Sequence, residues 1–310
     1  MLGGRTGRCA MDYVADGTKE IIGRSLKIPM LGKLKTTEHM VERVRASSKA
    51  VRSGTTIVAF TFQQGVLMAA DRQTSAGFHI WSAETVKIRN VSSMSLWGAA
   101  GLVACIQEIY DTLMLLIDGF ENHLEKKLPV SAQGKLLNQI LQANAAGLTY
   151  LGFLLGYVVV PILAGWDTEC DEPKIFSYDD IGGIYDMTEC TNQFTTVGSG
   201  GEIAKSILHD RWEKDMSEEA AIRLAIRALL RAGSIDIGTS DALIAPVTLF
   251  LVRRGSRAAV QLSEQSALQI AHEIFQGDLE GRKDPRKAFF ISDPTSGSPT
   301  SGSEGEGGAI

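Results

Sequence analysis

Cysteine is scarce and scattered: Cys9, Cys105, Cys170 and Cys190 form no C-x-x-C pair and have no histidine cluster beside them. Neither a zinc site nor a disulfide framework is indicated, and a reducing cytoplasm fits best. The N-terminus lacks the short apolar core and small-residue cleavage site of a secretory signal. Charge is missing altogether from residues 136–166, which include "LTYLGFLLGYVVVPILAG". By length that run passes the rule of roughly 20 apolar residues for a membrane span. Its internal Gly156 and Pro161, the β-branched "VVVPIL" and its weakly basic flanks read instead as a buried helix to about Gly156 and a buried strand over 157–165. Apolar residues are nearly absent from the final stretch, "SDPTSGSPTSGSEGEGGAI", so residues 293–310 are expected to form a disordered tail.

What is present is a chain of 310 residues, 44% hydrophobic, large enough for one substantial core or two modest ones. Its charge is uneven. Residues 1–54 carry 11 Lys/Arg against 5 Asp/Glu, a net of +6, which leaves −11 for the remainder. A basic leader suits a nucleic-acid arm, an organellar transit peptide or a removable pro-segment. Five acids and the lack of aromatics spaced among the basic residues, Tyr13 being the one aromatic present, favour the pro-segment.

From Thr55 the character changes abruptly. Residues 56–62 and 66–70 are apolar runs joined by Gln63-Gln64-Gly65, which predicts a hairpin. A second pair is expected over 86–88 and 95–99, around a turn at 90–93. The period then becomes helical over 102–128 (Ile106, Tyr110, Leu113, Ile117) and 132–153 (Leu136, Ile140, Ala143). Strands return at 157–165, 174–178, 183–187 and 194–197. A helix follows from about Glu202, and a second starts at Ser217-Glu218-Glu219 with Ile222, Ile226, Leu229 and Leu230 on one face. Residues 242–252 predict a last long strand, and Ser263 opens a final helix with Leu268, Ala271 and Phe275 inward. This order predicts an α+β class protein, antiparallel sheets packed together with helices outside.

The joint at Gly54-Thr55 carries the candidate chemistry. In a hairpin turning at Gln63-Gln64, Thr55 comes opposite about Asp71 or Gln73. A cut before Thr55 gives one residue both a hydroxyl nucleophile and a free α-amine able to take the hydroxyl proton, its reference pKa being about 7.7–8.0. Gly54, without a Cβ, lets that hydroxyl approach its carbonyl.

"GTTIVAF…GVLMAADRQTSAG…ETVKI…WGAAGL…TTVGSGGEIA" resembles a proteasome β subunit of the bacterial 20S type over residues 55 to about 275. The resemblance implies the N-terminal nucleophile hydrolase fold, a four-layer αββα sandwich. It implies Thr55 as nucleophile, exposed by self-cleavage at Gly54-Thr55, with Lys87 beside its hydroxyl, Asp71 orienting the lysine and the Gly101 N–H receiving the oxyanion. Ser199 would bond the Thr55 amine with Asp236 behind it, and Thr239 stands where the family has a serine. The pocket would be lined by Thr74, Ser75, Thr85, Arg89, Ala99 and Val103, with small Ala99 leaving room for a sizeable apolar side chain and Arg89 able to admit an acidic one. Two departures stand out: Gln73 occupies a common arginine position, and Ser240-Asp241 replaces a usual Gly-Gly.

The domains implied are a propeptide over 1–54, a peptidase domain over 55–292 and the tail. No cofactor and no metal are expected. The implied partners are proteasome α subunits, other β subunits in seven-membered rings, an ATPase ring and unfolded protein substrates, with no nucleic acid and no membrane. The alternatives are an HslV-type peptidase and a non-catalytic ring subunit.

Overall fold

The structure is a computed structural model that describes residues 52–76, 79–155, 159–179 and 182–283. The expected leader up to residue 51, the tail over 293–310 and the helix-to-strand break at Gly156 lie outside the described residues. The chain divides into two units, 1–271 and 272–310. The described part of the second is the C-terminal portion of one helix.

In the first unit, strands β2 (Thr56–Phe62) and β3 (Gly65–Ala70) form the expected hairpin. Every residue of both is buried, inner and outer faces alike, which is why they read as unbroken apolar runs. With β11 (Phe194–Gly198), β12 (Thr248–Arg253) and β13 (Val260–Gln261) they make an antiparallel sheet ordered β11-β2-β3-β12-β13. The second sheet runs β1 (Arg52–Ser53), β7 (Ser95–Leu102), β8 (Val159–Asp167), β9 (Glu172–Tyr178) and β10 (Ile184–Asp186), with β6 (Ile88–Ser92) also on β7. Ile57, Met68 and Ala70 from one sheet meet Leu96, Ala100 and Ile162 from the other in a shared core.

Two helices, α1 (Val103–Leu124) and α2 (Val130–Leu155), cover the second sheet, burying Ile109, Leu113, Leu137 and Leu141 against Trp97, Leu163 and Phe176. Two more, α3 (Gly201–Arg211) and α4 (Glu218–Gly233), lie on β2 and its neighbours. Four layers result, the αββα sandwich expected. The uncharged segment is divided as predicted, between α2 and β8, and among the described residues no helix is long and apolar enough to cross a membrane.

Several details differ from the sequence reading. The second hairpin turns at Ser93-Met94, and Val86 lies before its strand, more than half exposed. A small hairpin, β4 (Thr74–Ala76) with β5 (His79–Ser82), went unforeseen because its three and four residues are too short to show a period. The run over 242–252 is strand only from Thr248, since residues 242–244 form a turn closed by Asp241. Residue 187 is not strand: Met187–Glu189 is a single 3₁₀ turn capped by Asp186. On α2 the buried stripe runs Leu136, Leu137, Ile140, Leu141 and Asn144, leaving Ala143 exposed. Ile222 and Leu230 are half-buried, and Leu224 with four alanines fills the α4 face instead. In α5 (Glu264–Lys283) Phe275 is exposed, and among the described side chains Ala267, Ala271 and Ile274 are buried.

Candidate active site

Strand β2 is antiparallel to both its neighbours, so its first residues lie beside the last residues of β3 and β11. The register pairs Ile57 with Ala70 and Thr56 with Gly198. Asp71 therefore follows β3 directly opposite Thr56, and Ser199 follows β11 beside Thr55. Gly198, at φ +100°, is the residue that makes this approach possible: a Cβ there would lie 1.9 Å from the Thr55 carbonyl oxygen.

Lys87 enters from the facing sheet, immediately before β6. Its Nζ donates to Asp71 Oδ1 at 2.7 Å and to the Gly54 carbonyl at 2.9 Å. The Asp71 carboxylate also accepts the N–H groups of Thr56 (2.7 Å), Gln73 (2.9 Å) and Ser240 (3.1 Å). Both side chains of this pair are almost wholly buried, at 3% and 0% exposure. Burial pushes the Lys87 ammonium below the ordinary lysine range, and the Asp71 carboxylate opposes that fall.

On the other flank, the Thr55 N–H donates to Ser199 Oγ at 3.4 Å, and Ser199 donates its proton to Asp236 Oδ2 at 2.6 Å. Thr239 donates to the same oxygen at 2.6 Å and accepts the Thr56 hydroxyl proton at 2.6 Å. Thr239 has one proton, given to Asp236, so Thr56 must be the donor in the second contact. Thr55 itself is fully buried with the preceding residues attached.

Those preceding residues form a strand of their own. Arg52–Ser53 pairs with the end of β7, Ser53 opposite Gly101 and Arg52 opposite Leu102. They take the same edge of β7 that β6 occupies from Ile88 opposite Gly98. Gly101 has φ 135°, a conformation closed to other residues without strain.

A family-wide comparison matches residues 51–245, more than half the chain, to the family described as proteasome subunit. The chain belongs to the proteasome subunit family. Curated relatives place it among the bacterial β subunits. A proteasome subunit beta from Streptomyces griseus is 28% identical over 284 residues, covering 90% of this chain and 92% of its own. Those from Saccharopolyspora erythraea and Acidimicrobium ferrooxidans are 30% and 31% identical, covering 73% and 74% of this chain and 79% and 81% of their own.

Within this β subunit the sequence-predicted residues fall into two groups. Thr55, Asp71, Lys87, Ser199, Asp236 and Thr239 are joined in one hydrogen-bond network around the Gly54-Thr55 bond, and Gly101 adjoins it through Ser53. The expected pocket is less unified. Thr74 donates to Thr85 at 2.7 Å, and Ala99 is buried beneath α1. Arg89 is half-buried with its guanidinium stacked 5.0 Å from the Tyr110 ring centroid, while Val103 is 45% exposed. Ser75 is in β4, its side chain outside the described residues.

Sequence reasoning missed Thr56 and Ser240 as members of the network. Thr56 follows the conspicuous Thr55 and looked like the first residue of a strand. Its hydroxyl contact is made across 183 residues of chain, which no local pattern reveals.

Proposed function

We propose that this β subunit is a threonine-type peptidase of a 20S proteasome, which frees its own nucleophile by cutting between Gly54 and Thr55. The contact that carries the reading is that of the buried Lys87 ammonium with both Asp71 and the Gly54 carbonyl oxygen. An ammonium on that oxygen draws electrons from the carbonyl carbon and stabilises the negative charge that gathers there when Thr55 Oγ adds. The hydroxyl proton passes to the Thr55 nitrogen, the C–N bond breaks, and an ester joins Gly54 to Thr55 Oγ. Water then hydrolyses the ester, releasing Gly54 as a carboxylate and Thr55 with a free α-amine.

In turnover that amine accepts the hydroxyl proton as Oγ attacks a substrate carbonyl, and Ser199, backed by Asp236 and Thr239, orients it. Lys87 lowers the cost of the alkoxide, and the Gly101 N–H receives the substrate oxyanion. The paired strand Arg52–Ser53 supports this assignment, since a peptide added to the same edge of β7 would reach Thr55 as the leader does. On this reading residues 1–54 are a propeptide and 55–292 the peptidase domain. Thr74, Ser75, Thr85, Arg89, Ala99 and Val103 form the pocket wall. The partners are α subunits, neighbouring β subunits in seven-membered rings and an ATPase ring supplying unfolded chains in the cytoplasm.

Intact-mass spectrometry of the subunit co-assembled with its α subunits tests the reading. The wild type should begin at Thr55, and Thr55→Ala and Lys87→Ala should retain the leader and show no peptidase activity. A Thr55→Ala particle that still hydrolyses peptides would remove Thr55 from the chemistry.

A further inference from the structure

The two carboxylates beside Thr55 belong to different loops. Asp71 follows β3, whereas Asp236 lies in the segment after α4, and the two must keep a fixed separation for both flanks of the nucleophile to be aligned. We infer that Gln73 and Ser240 are positioning residues that set this separation, an inference that rests on Thr55 being the nucleophile.

Hydrogen bonds cross between the loops in both directions. Gln73 Nε2 donates to the Ile237 carbonyl at 2.9 Å. The Arg72 N–H donates to Ser240 Oγ at 3.3 Å, and the Ser240 N–H donates to Asp71 Oδ2 at 3.1 Å. Gln73 and Ser240 are 7% and 6% exposed, so their bonds are shielded from competing water. Gln73 thus grips the residue after Asp236, and Ser240 grips the residue after Asp71.

The segment needs such ties because its apolar side chains do not anchor it. Ile235 is 56% exposed and Ile237 85%. Its backbone bonds, from Ile235 and Asp236 to Ala232 and from Thr239 to Asp236, fasten it to α4 and to itself. A further support is temporary. Gly238 packs against Gly54 so closely that a Cβ on Gly54 would lie 2.5 Å from its Cα. When the leader leaves, Gly54 and that contact go with it. The bonds of Gln73 and Ser240 persist, so they act in the mature subunit.

The consequence reaches Thr55 through Ser199. Its hydroxyl lies 2.6 Å from Asp236 Oδ2 and 3.4 Å from the Thr55 carbonyl. While Asp236 is in place it accepts the Ser199 hydrogen bond, and the Ser199 lone pair remains turned to the Thr55 nitrogen. Should Asp236 drift, the proton turns to the Thr55 carbonyl and the amine loses its acceptor.

The test is steady-state peptide hydrolysis by assembled particles that have shed the leader and carry Gln73→Met, Ser240→Ala or Ser240→Thr, with the leader-bearing Thr55→Ala particle as control. Gln73→Met keeps the volume and removes the donor; Ser240→Ala removes the acceptor. Each should lower kcat about three- to tenfold, the effect of one hydrogen bond, with KM within about twofold, and Ser240→Thr should recover most of kcat. Should Ser240→Ala fail to assemble, Gln73→Met carries the test. Wild-type kcat in Gln73→Met and Ser240→Ala, or no recovery in Ser240→Thr, overturns the inference. So does failure of both to assemble, which would make the bonds merely structural. Activity persisting in Thr55→Ala would instead overturn the nucleophile on which the inference depends.

Discussion

At the scale of single residues, the site is a solution to burying charge. Lys87 and Asp71 are each short of water, and removing one partner of a buried pair typically costs about 3–5 kcal/mol. Asp71 is less exposed to that penalty than most, since three backbone N–H groups also point at it. Lys87→Ala should therefore still assemble, which makes retention of its leader a clean readout. Gly54 is constrained by space. An added Cβ meets the Gly238 backbone at 2.5 Å, and relieving that overlap moves the Gly54 carbonyl off the Lys87 ammonium. Gly54→Ala is expected to slow leader removal at least about tenfold, the effect of 1.4 kcal/mol in the barrier, in a time course of intact mass. Thr55 and Asp71 were legible as neighbours from the hairpin they flank, and Lys87 only through the resemblance that its "TVKI" motif carries. Gln73 and Ser240 were visible only as departures, because their purpose is each other's loop.

Among the elements, α4 shows how a cap and an ion pair share one helix end. Ser217 Oγ accepts the Ala220 N–H, and Glu218 in the first turn binds Arg253 of β12 through two bonds of 2.6 and 2.7 Å. Hydrogen bonding to Arg253 holds the Glu218 carboxyl below its ordinary range. A depressed carboxylate stabilises the fold above its unfolded pKa, about 4.3 for glutamate, and that contribution fades as pH falls through the lower folded value. Glu218→Gln should lower Tm by roughly 2 °C at neutral pH, a partly exposed pair being worth under about 1 kcal/mol. The gap should close below about pH 4 in a series of thermal melts. The cap was legible from Ser217-Glu218-Glu219, but the arginine partner 35 residues on was not.

For the whole molecule, the packing of the two sheets on one another matters most. Gly98 of β7 sits at their contact: a Cβ there would come 3.1 Å from Met68 Sδ and 3.2 Å from Ile57 Cδ1. Alanine should be tolerated, because the methionine side chain can bend away. Valine should cost about 1–3 kcal/mol of stability and reduce turnover as well, because Ile57 lies two residues from Thr55. Thermal denaturation and peptide hydrolysis on the same assembled particle read both effects. The leader also acts at this scale, since Arg52–Ser53 completes an edge of β7 that β6 leaves open.

The sequence by itself determined that antiparallel sheets lie inside and helices outside, and it determined the hairpin that opens the domain, because periodicity and turn residues are local signals; the residues around Thr55 were named through motifs that resemble a known family. It left strand ends uncertain by several residues, as at 242–252 and at Val86, where a local turn bonded to Asp241 and an irregular stretch before β6 override propensity. Only the tertiary structure decided which edge of β7 the leader takes, that Lys87 holds the Gly54 carbonyl, and that Thr56, Gln73 and Ser240 join the network. These depend on register between strands and on contacts across more than 140 residues of chain. Such contacts follow from how the sheets stack, and no short stretch of sequence contains that information.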